Sequence, residues 1–469
     1  MEERGTGTAV AWEPESSWWA SPHHSPPRPA GVRRSRRWLL VIGFWTGLVA
    51  VVVPWWLNTP AGSTRGPAAA LTATGQITGL VGGYALLAQV FIMSRLDWLE
   101  RWVGSRGLVL WHRELGGFVL VSVLAHIVSI TLGYAWTEQV PVLTEAWILL
   151  TESNDMATAY GAAFLLVGIG VLSLRGLRRT LPYEVWYYLH LTAYLALFLA
   201  YFHQFSYGRE LSSEGSSRYA WLAAYLLVVA ALAWGRVVAP VRLNLRHRFR
   251  VDEVVDEGPD TVSIYIAGRR LAKLDAKAGQ FFRWRFLTAG CWWQAHPFSL
   301  SAAPNERFLR LTVKAVGNHS DDLRWLRPGV RVWVEGPAGD FTADRRRRPR
   351  ALLVAGGSGI APIRALLEEL PPGAVVIYRA RSQDDLMFRR ELDDLVRSRG
   401  AEVWYVLGSR DDPGPRQVFS ARGLRQLVPD VSRRDVYLCG PDSLVADSVR
   451  LLRRLRVPRR QIHCDPFEF

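Results

Sequence analysis

The sequence predicts a multidomain membrane protein: a six-helix transmembrane bundle, then an antiparallel β-barrel, then an α/β domain. Three observations predict it. Long apolar runs crowd into the first half of the chain. Short segments of alternating polarity follow them. The last third alternates strand-like and helix-like segments around a glycine-rich turn.

The six apolar runs cover about residues 38–57, 71–93, 109–133, 157–174, 183–206 and 219–239. Each nears the roughly 20 residues that cross a bilayer core. Six such runs in 200 residues argue against a buried soluble bundle. Residues 1–36 are rich in Pro, Ser and Arg, lack an apolar period and read as a disordered cytoplasmic tail. They are not a secretory signal, because the run that starts near Trp38 is too long for a signal core.

Arginines set the expected direction. Arg33, Arg34, Arg36 and Arg37 precede the first run. Arg95, Arg101 and Arg106 fill the second loop, and Arg175, Arg178 and Arg179 the fourth. Arg242, Arg246, Arg248 and Arg250 follow the last run. The loop 135–156 has no Lys or Arg, but holds Glu138, Glu145, Glu152 and Asp155. The positive-inside rule then puts both termini, and the soluble half, in the cytoplasm of a multi-pass cell-membrane protein. Trp55, Trp56, Trp98, Trp136 and Trp186 near the run ends suit the membrane interface. The net charge of +15 belongs to this pattern and implies no nucleic-acid partner. Three cysteines, Cys291, Cys439 and Cys464, make no disulfide framework and are too few for a four-thiolate iron–sulfur cluster.

The third and fifth runs each hold two histidines: His112 and His126, then His190 and His203. Intramembrane histidines usually face the protein interior or a functional site. His126 lies 14 residues beyond His112, and His203 lies 13 beyond His190. On helices these steps are roughly 21 Å and 20 Å. The result is two layers, each with one imidazole from each helix. Neutral imidazole is a good axial ligand for haem iron. Zinc is the competing metal, but the layers are too far apart for one tetrahedral site and lack thiolate or carboxylate helpers. Thirteen residues also leave His203 well off the azimuth of His190 in a straight helix, so either the fifth span is locally irregular or its haems sit at different angles.

In the soluble half, Thr261–Ile266 and Leu309–Val313 alternate as barrel strands do. His296-Pro297-Phe298-Ser299-Leu300, then Gly317 to Ser320, then Gly336-Pro337-Ala338-Gly339-Asp340-Phe341 follow in order. Ala351–Ala355 reads as a strand leading into Gly356-Gly357-Ser358-Gly359-Ile360-Ala361-Pro362, with a helix from Ile363 to Leu370. Glycines there let backbone N–H groups and a helix N-terminus approach a diphosphate, although the full GxGxxG fingerprint is absent. Further strands are expected at 374–379, 402–407 and 435–439, the last running into Cys439-Gly440-Pro441. The sequence ends Phe467-Glu468-Phe469.

Taken in order, these motifs resemble the ferric reductase and NADPH oxidase superfamily over residues 38–469. Trp111-His112-Arg113, His126 and Tyr183-Glu184-Val185-Trp186-Tyr187-Tyr188-Leu189-His190 with His203 carry the membrane part. The soluble part is similar to ferredoxin–NADP reductases of the membrane-oxidase branch. The resemblance implies four regions: the tail 1–36, a transmembrane domain at 37–240, an FAD-binding barrel at 247–345 and an NAD(P)H-binding domain at 346–469. It also implies two b haems, one held by His112 and His190 and the other by His126 and His203, with Arg113 near a propionate. FAD is then held by His296, Pro297, Phe298 and Ser299, and its pyrophosphate lies by Lys314, Gly317 and Ser320. The nucleotide meets Gly356, Gly357, Gly359, Ile360, Pro362, Gly440 and Pro441. Cys439 sits near the nicotinamide and Phe469 covers the flavin. Ser409 and Arg410 hold the 2′-phosphate of NADPH, with NADH as the alternative.

The function so implied is electron transfer from cytoplasmic NAD(P)H, through FAD and two haems, to an extracytoplasmic acceptor. A ferric chelate is the first expectation and dioxygen the second. An electron-supply subunit for a periplasmic redox protein is the reading of another class. The sequence shows no calcium-binding loop or activator segment and no obligatory protein partner is evident.

Overall fold

The computed structural model describes residues 36–467, apart from 154, 179, 213, 259, 291 and 316–321. The membrane half is built from apolar helices. α1 (Arg37–Leu57) and α2 (Pro67–Ile92) come first. α2 starts with proline, whose missing N–H is free in a first turn anyway. A short α3 (Asp97–Val103) then leads to the long α4 (Ser105–Glu138). α5 (Val142–Glu152) is bent by 115° from α6 (Met156–Leu172). The fourth span, expected at 157–174, is thus a helix of 17 residues, roughly 26 Å long. It reaches membrane-spanning dimensions only together with α5.

After α7 (Arg175–Arg178) the fifth span comes in two pieces, α8 (Tyr183–Leu191) and α9 (Ala193–Tyr207). Between them, Thr192 N–H bonds the carbonyl of Leu189, three residues back, at 3.1 Å. Its Oγ1 donates to the same carbonyl at 2.7 Å. This tight turn is a local irregularity of the kind the histidine spacing allows for. In a uniform helix, thirteen residues would leave His203 about 140° away from His190. A 3₁₀ turn advances each residue by about 120° instead of about 100°, and so turns α9 back toward register.

The sixth span runs from α10 (Ser216–Ala233) through a π turn at Trp234–Val238 into α11 (Ala239–His247). Gly235 in the π turn lies against the carbonyls of Ser94 and Arg95, an approach that any side chain would block. Arg236 donates to the Met93 carbonyl at 2.8 Å. The sixth span is thereby fastened to the end of α2.

The soluble half begins with β1 (Arg250–Gly258), β2 (Thr261–Ala267), β3 (Phe281–Phe286), β4 (His296–Ser299), β5 (Phe308–Lys314) and β6 (Val332–Ala338). They form two antiparallel three-stranded sheets, ordered β1-β2-β5 and β4-β3-β6. Alternation decides what is inside. On β3, Phe282, Trp284 and Phe286 are buried in the barrel core, while Arg283 and Arg285 point away from it into a pocket described below.

The remaining elements are β7 (Ala351–Gly356), α12 (Ile360–Glu369), β8 (Val375–Ala380), α13 (Arg389–Arg399), β9 (Glu402–Leu407), α14 (Pro413–Val418), α15 (Ala421–Leu427), β10 (Asp435–Pro441), α16 (Asp442–Arg454) and β11 (Ile462–Phe467). The parallel sheet has the order β11-β10-β7-β8-β9. Both of its faces are covered by apolar clusters, as near-continuous Val and Leu strands require.

The two halves touch along β6. Asn244 of α11 acts as an extra strand residue: its Nδ2 donates to Val334 O at 2.8 Å and its Oδ1 accepts from Val334 N at 2.9 Å. Arg95, beyond α2, forms an ion pair with Glu335. Barrel and α/β domain are joined by a buried cluster. Arg310 of β5 bonds both oxygens of Glu391 on α13, at 2.9 and 3.1 Å, and Arg364 of α12 reaches the same carboxylate at 2.7 Å.

Candidate functional site

The four histidines form two facing pairs. The His112 and His190 ring centres are 5.8 Å apart, and those of His126 and His203 are 6.4 Å apart. Two imidazoles binding one ion from opposite sides, with metal–nitrogen bonds of about 2 Å, hold their ring centres about 6 Å apart. Both pairs fit. The buried Nδ1 atoms of His112, His190 and His203 have no hydrogen-bond partner, whereas His126 Nδ1 lies 2.8 Å from Gly75 O. Among the described residues no group of three or more His, Cys, Asp or Glu could hold a metal. Two protein ligands per layer suit a metal whose other positions come from a macrocycle. The distal pair also lines a cavity with Gly79, Gly82, Gly83 and Leu86, open enough for a flat apolar group.

Neighbours fix the rings. Trp186 stacks on His190 with centres 5.0 Å apart, and the Arg178 guanidinium lies 4.1 Å from the other indole centre. Trp186, half-buried, therefore packs on a histidine of the His112–His190 pair. Trp55 likewise is only 2% exposed; its Nε1 donates to Gln76 Oε1 at 2.9 Å, and it lines the distal cavity. Helix packing thus engages two of the five indoles that span-end position alone assigned to the membrane surface, while Trp56 and Trp136 stay exposed. Arg113 is exposed.

A second pocket lies between the halves. Arg95, Tyr187, Tyr188, Arg283, Arg285, Trp293, Gln294, His296 and Glu335 line it. Burial, with Arg283 and Arg236 close by, pulls the Arg95 guanidinium down to about 9. Gln294 Oε1 and Arg285 Nε are buried without partners, which fits a ligand carrying its own donors and acceptors, as a flavin ring does. His296, Pro297, Phe298 and Ser299 form β4 at this pocket's edge. Tyr187 and Tyr188 reach it from the helix that carries His190, so this pocket and the proximal histidine pair are neighbours.

Lys314, expected by the diphosphate, is engaged by an acid of the α/β domain. Its ammonium bonds Asp385 Oδ1 at 2.9 Å and, together with Ser382, holds that carboxyl below the ordinary range. Gly317, Ser320 and Phe469 lie outside the described residues.

At the C-terminal edge of the parallel sheet, Gly356, Gly357 and Gly359 turn the chain from β7 into Ile360 and Pro362 of α12. A side chain at Gly359 would run into the Cys439 carbonyl, and one at Gly440 into Gly356. The two turns before α12 and α16 thus pack backbone to backbone. Gly357, at φ +55°, has open space around it, which suits a diphosphate at the helix start. Cys439 is buried beside Ala355 and Asp465, and its Sγ donates to Asp465 O at 3.0 Å. Burial pushes the thiol well up, so it stays protonated. Burial and the nearby Asp340 push the Asp465 carboxyl up to about 7.

Arg410 forms an ion pair with Asp447 of α16, and Ser409 N donates to Asp412 Oδ2 at 2.6 Å. Sequence reasoning missed what lies beside them. Arg379 ends β8 next to Arg410 and Arg381, and burial and these two cations lower its own guanidinium. The signal was available, since both arginines follow an apolar strand on the edge where ligands of α/β sheets bind. Arg95, Arg283 and Arg285 gave no such signal, because their meeting depends on how the two halves dock.

Comparison with known proteins covers three stretches. Residues 78–201 match the family described as ferric reductase like transmembrane component. Residues 249–340 match an FAD-binding domain, and 353–450 an oxidoreductase NAD-binding domain. A flavohemoprotein of Vibrio cholerae is 30% identical over 211 residues, 42% of this chain and 52% of its own length, so the chain spans about half of that relative. Ferredoxin–NADP reductase B of Sorangium cellulosum is 32% identical over 192 residues, 36% of this chain and 77% of the reductase. Among solved structures, the FAD/NAD binding domain of nitric oxide dioxygenase from Vibrio cholerae aligns at 29% identity, with a TM-score of 0.41, over 47% of this chain and 98% of that domain. With apolar helices long enough to cross a bilayer, a ferric-reductase-like stretch and both nucleotide modules in one polypeptide, the chain belongs to the ferric reductase and NADPH oxidase superfamily and is a multi-pass membrane NAD(P)H oxidoreductase.

Proposed function

We propose that the chain carries electrons from cytoplasmic NADPH through FAD and two b-type haems to an acceptor across the membrane, and that the acceptor is a ferric chelate. The observation that supports this most is the succession of sites. The turn at 356–359 with Cys439, the His296–Tyr187 pocket, the His112–His190 pair and the His126–His203 pair lead from the soluble half into the bundle. When bound, FAD would take the two electrons of one hydride and supply them singly, and haem iron would supply one-electron carriage.

The residues bind and orient. Arg379, Arg381 and Arg410 offer cations to a 2′-phosphate, which favours NADPH over NADH. Arg283, Arg285 and Gln294 face the flavin ring, and Cys439 packs protonated at the nicotinamide. The imidazoles fix two metals in separate layers. The loop arginines 95–106 and 175–178, on the side of the soluble half, support a cytoplasmic position for it. At the opposite face the distal cavity is rimmed by Tyr207 and the exposed Arg209, a cation suited to an anionic chelate.

The purified chain, given NADPH and ferric citrate in air, should form ferrous iron at a rate unchanged by superoxide dismutase. A rate abolished by dismutase would make dioxygen the acceptor. No turnover with either acceptor, despite flavin reduction, would make the chain an electron-supply subunit.

A further inference from the structure

The N-terminal edge of the parallel sheet carries no part of the proposed redox path, yet exposed arginines gather there. Ala351 of β7 lies beside Asp435 of β10, and Val436 beside Ile462 of β11. The segments that precede these three strands therefore meet at one edge, where α16 also ends. Arg347, Arg348, Arg433, Arg454, Arg459 and Arg460 stand there, all exposed. The nearby acids are already committed. Asp430 pairs with Arg434 and Arg350. Asp435 is fully buried and takes bonds from His463 and from the backbone N–H groups of Arg347 and Arg348. The nucleotide turn sits at the opposite edge of the sheet, so these cations do not serve it.

Their position relative to the bundle is given by α3. This helix joins the end of α2 to the start of α4, so it lies across one face of the membrane half. The chain from Asp340 to Arg348 runs alongside it. A Cβ on Gly104 would sit 2.8 Å from an Asp340 carboxylate oxygen, and Arg345 Nη2 is 3.5 Å from Arg101 O. Three residues farther on, Arg348 reaches β10. Arg345 thus lies against α3, and the arginine edge begins three residues farther along the chain, on the side of the soluble half that faces α3. Exposed cations on that side would come within reach of phospholipid headgroups, and an anionic headgroup would supply a counter-charge.

We propose that this edge is a docking surface for anionic phospholipid headgroups of the leaflet against which α3 lies, a second attachment of the reductase half besides its joint at β6. It adds no step to electron transfer and does not depend on which acceptor is used.

The test compares the full chain in nanodiscs of phosphatidylcholine alone and of phosphatidylcholine with phosphatidylglycerol, by hydrogen exchange. Residues 431–434 and 455–461 should exchange several-fold more slowly with the anionic lipid. The protection should fade as salt rises from 0.1 M toward 1 M, where the screening length falls from about 10 Å to about 3 Å. Replacing Arg433, Arg454, Arg459 and Arg460 by Gln should remove the protection while flavin content and exchange in the zwitterionic disc stay unchanged. If that variant does not fold, the lipid and salt comparison of the unaltered chain decides alone. Equal exchange in both discs would overturn the proposal. So would salt-independent protection, or protection by added duplex DNA with none by phosphatidylglycerol.

Discussion

At the scale of single residues, the distal histidine pair depends on a missing methyl group. A Cβ on Gly79 would lie 2.6 Å from His126 Nδ1, closer than any real contact. The Gly79→Ala chain must therefore move the imidazole or part α2 from α4. Haem content per flavin should fall from about two toward about one, as it should for His126→Ala or His203→Ala, when measured as pyridine haemochrome. Unchanged content in Gly79→Ala would show that the ring has room to shift and still bind. A second residue-scale prediction concerns Arg410, which Asp447 already engages. An exposed pair of this kind is worth about 0.2–1 kcal/mol. Releasing Arg410 by Asp447→Asn should lower the KM for NADPH by up to about fivefold, with little effect on NADH. An equal change for both nucleotides would remove Arg410 from 2′-phosphate recognition.

Among elements, the turn at Thr192 shows what sequence could and could not supply. The thirteen-residue step between His190 and His203 was a countable misfit, open either to an irregular fifth span or to haems at different angles. Where the turn would fall was not legible, because Thr192 sits in an apolar run with no Gly or Pro to mark it. The β strands were legible where apolar residues ran continuously: 402–407 was read to the residue, and β7, β8 and β10 to within two residues at either end. The buried Arg310–Glu391–Arg364 cluster was invisible, since nothing in β5 or α13 alone says that they meet. Burial pushes the Glu391 carboxyl up, but Arg364 and Arg310 outweigh it and hold the group below the ordinary range. A carboxyl depressed in the fold stabilises above its unfolded pKa, and that stability is lost as pH falls through the folded value. Glu391→Gln leaves the buried Arg310 guanidinium without its carboxylate and Arg364 with Glu368 alone, at a cost of about 3–5 kcal/mol. Thermal unfolding followed by flavin release should show a large drop in midpoint at neutral pH and a flatter dependence in acid. A midpoint within a degree of the parent would mean that water replaces the carboxylate.

Across the whole molecule, the order of parts was legible because each part has its own periodicity, and the histidine and glycine motifs carried the candidate site. Sequence did not reveal the pocket between the halves, where Arg95 from a loop, Tyr187 from a span and Arg283 from a strand converge. No local pattern records such a meeting; it is set by the docking of Asn244 on Val334. That docking is made by a helix which runs without interruption from Ser216 to His247, 32 residues in all and roughly 48 Å long. The reductase half is therefore mounted on a rod and not hung from a tether. A helix of fixed length answers a change in bilayer thickness by tilting. Gly235 and Arg236 fasten the same rod to the end of α2, beside Arg95, so tilt in the lipid carries Arg95 and β6 together, and the gap that electrons must cross between flavin and bundle keeps its width as the membrane thickens or thins.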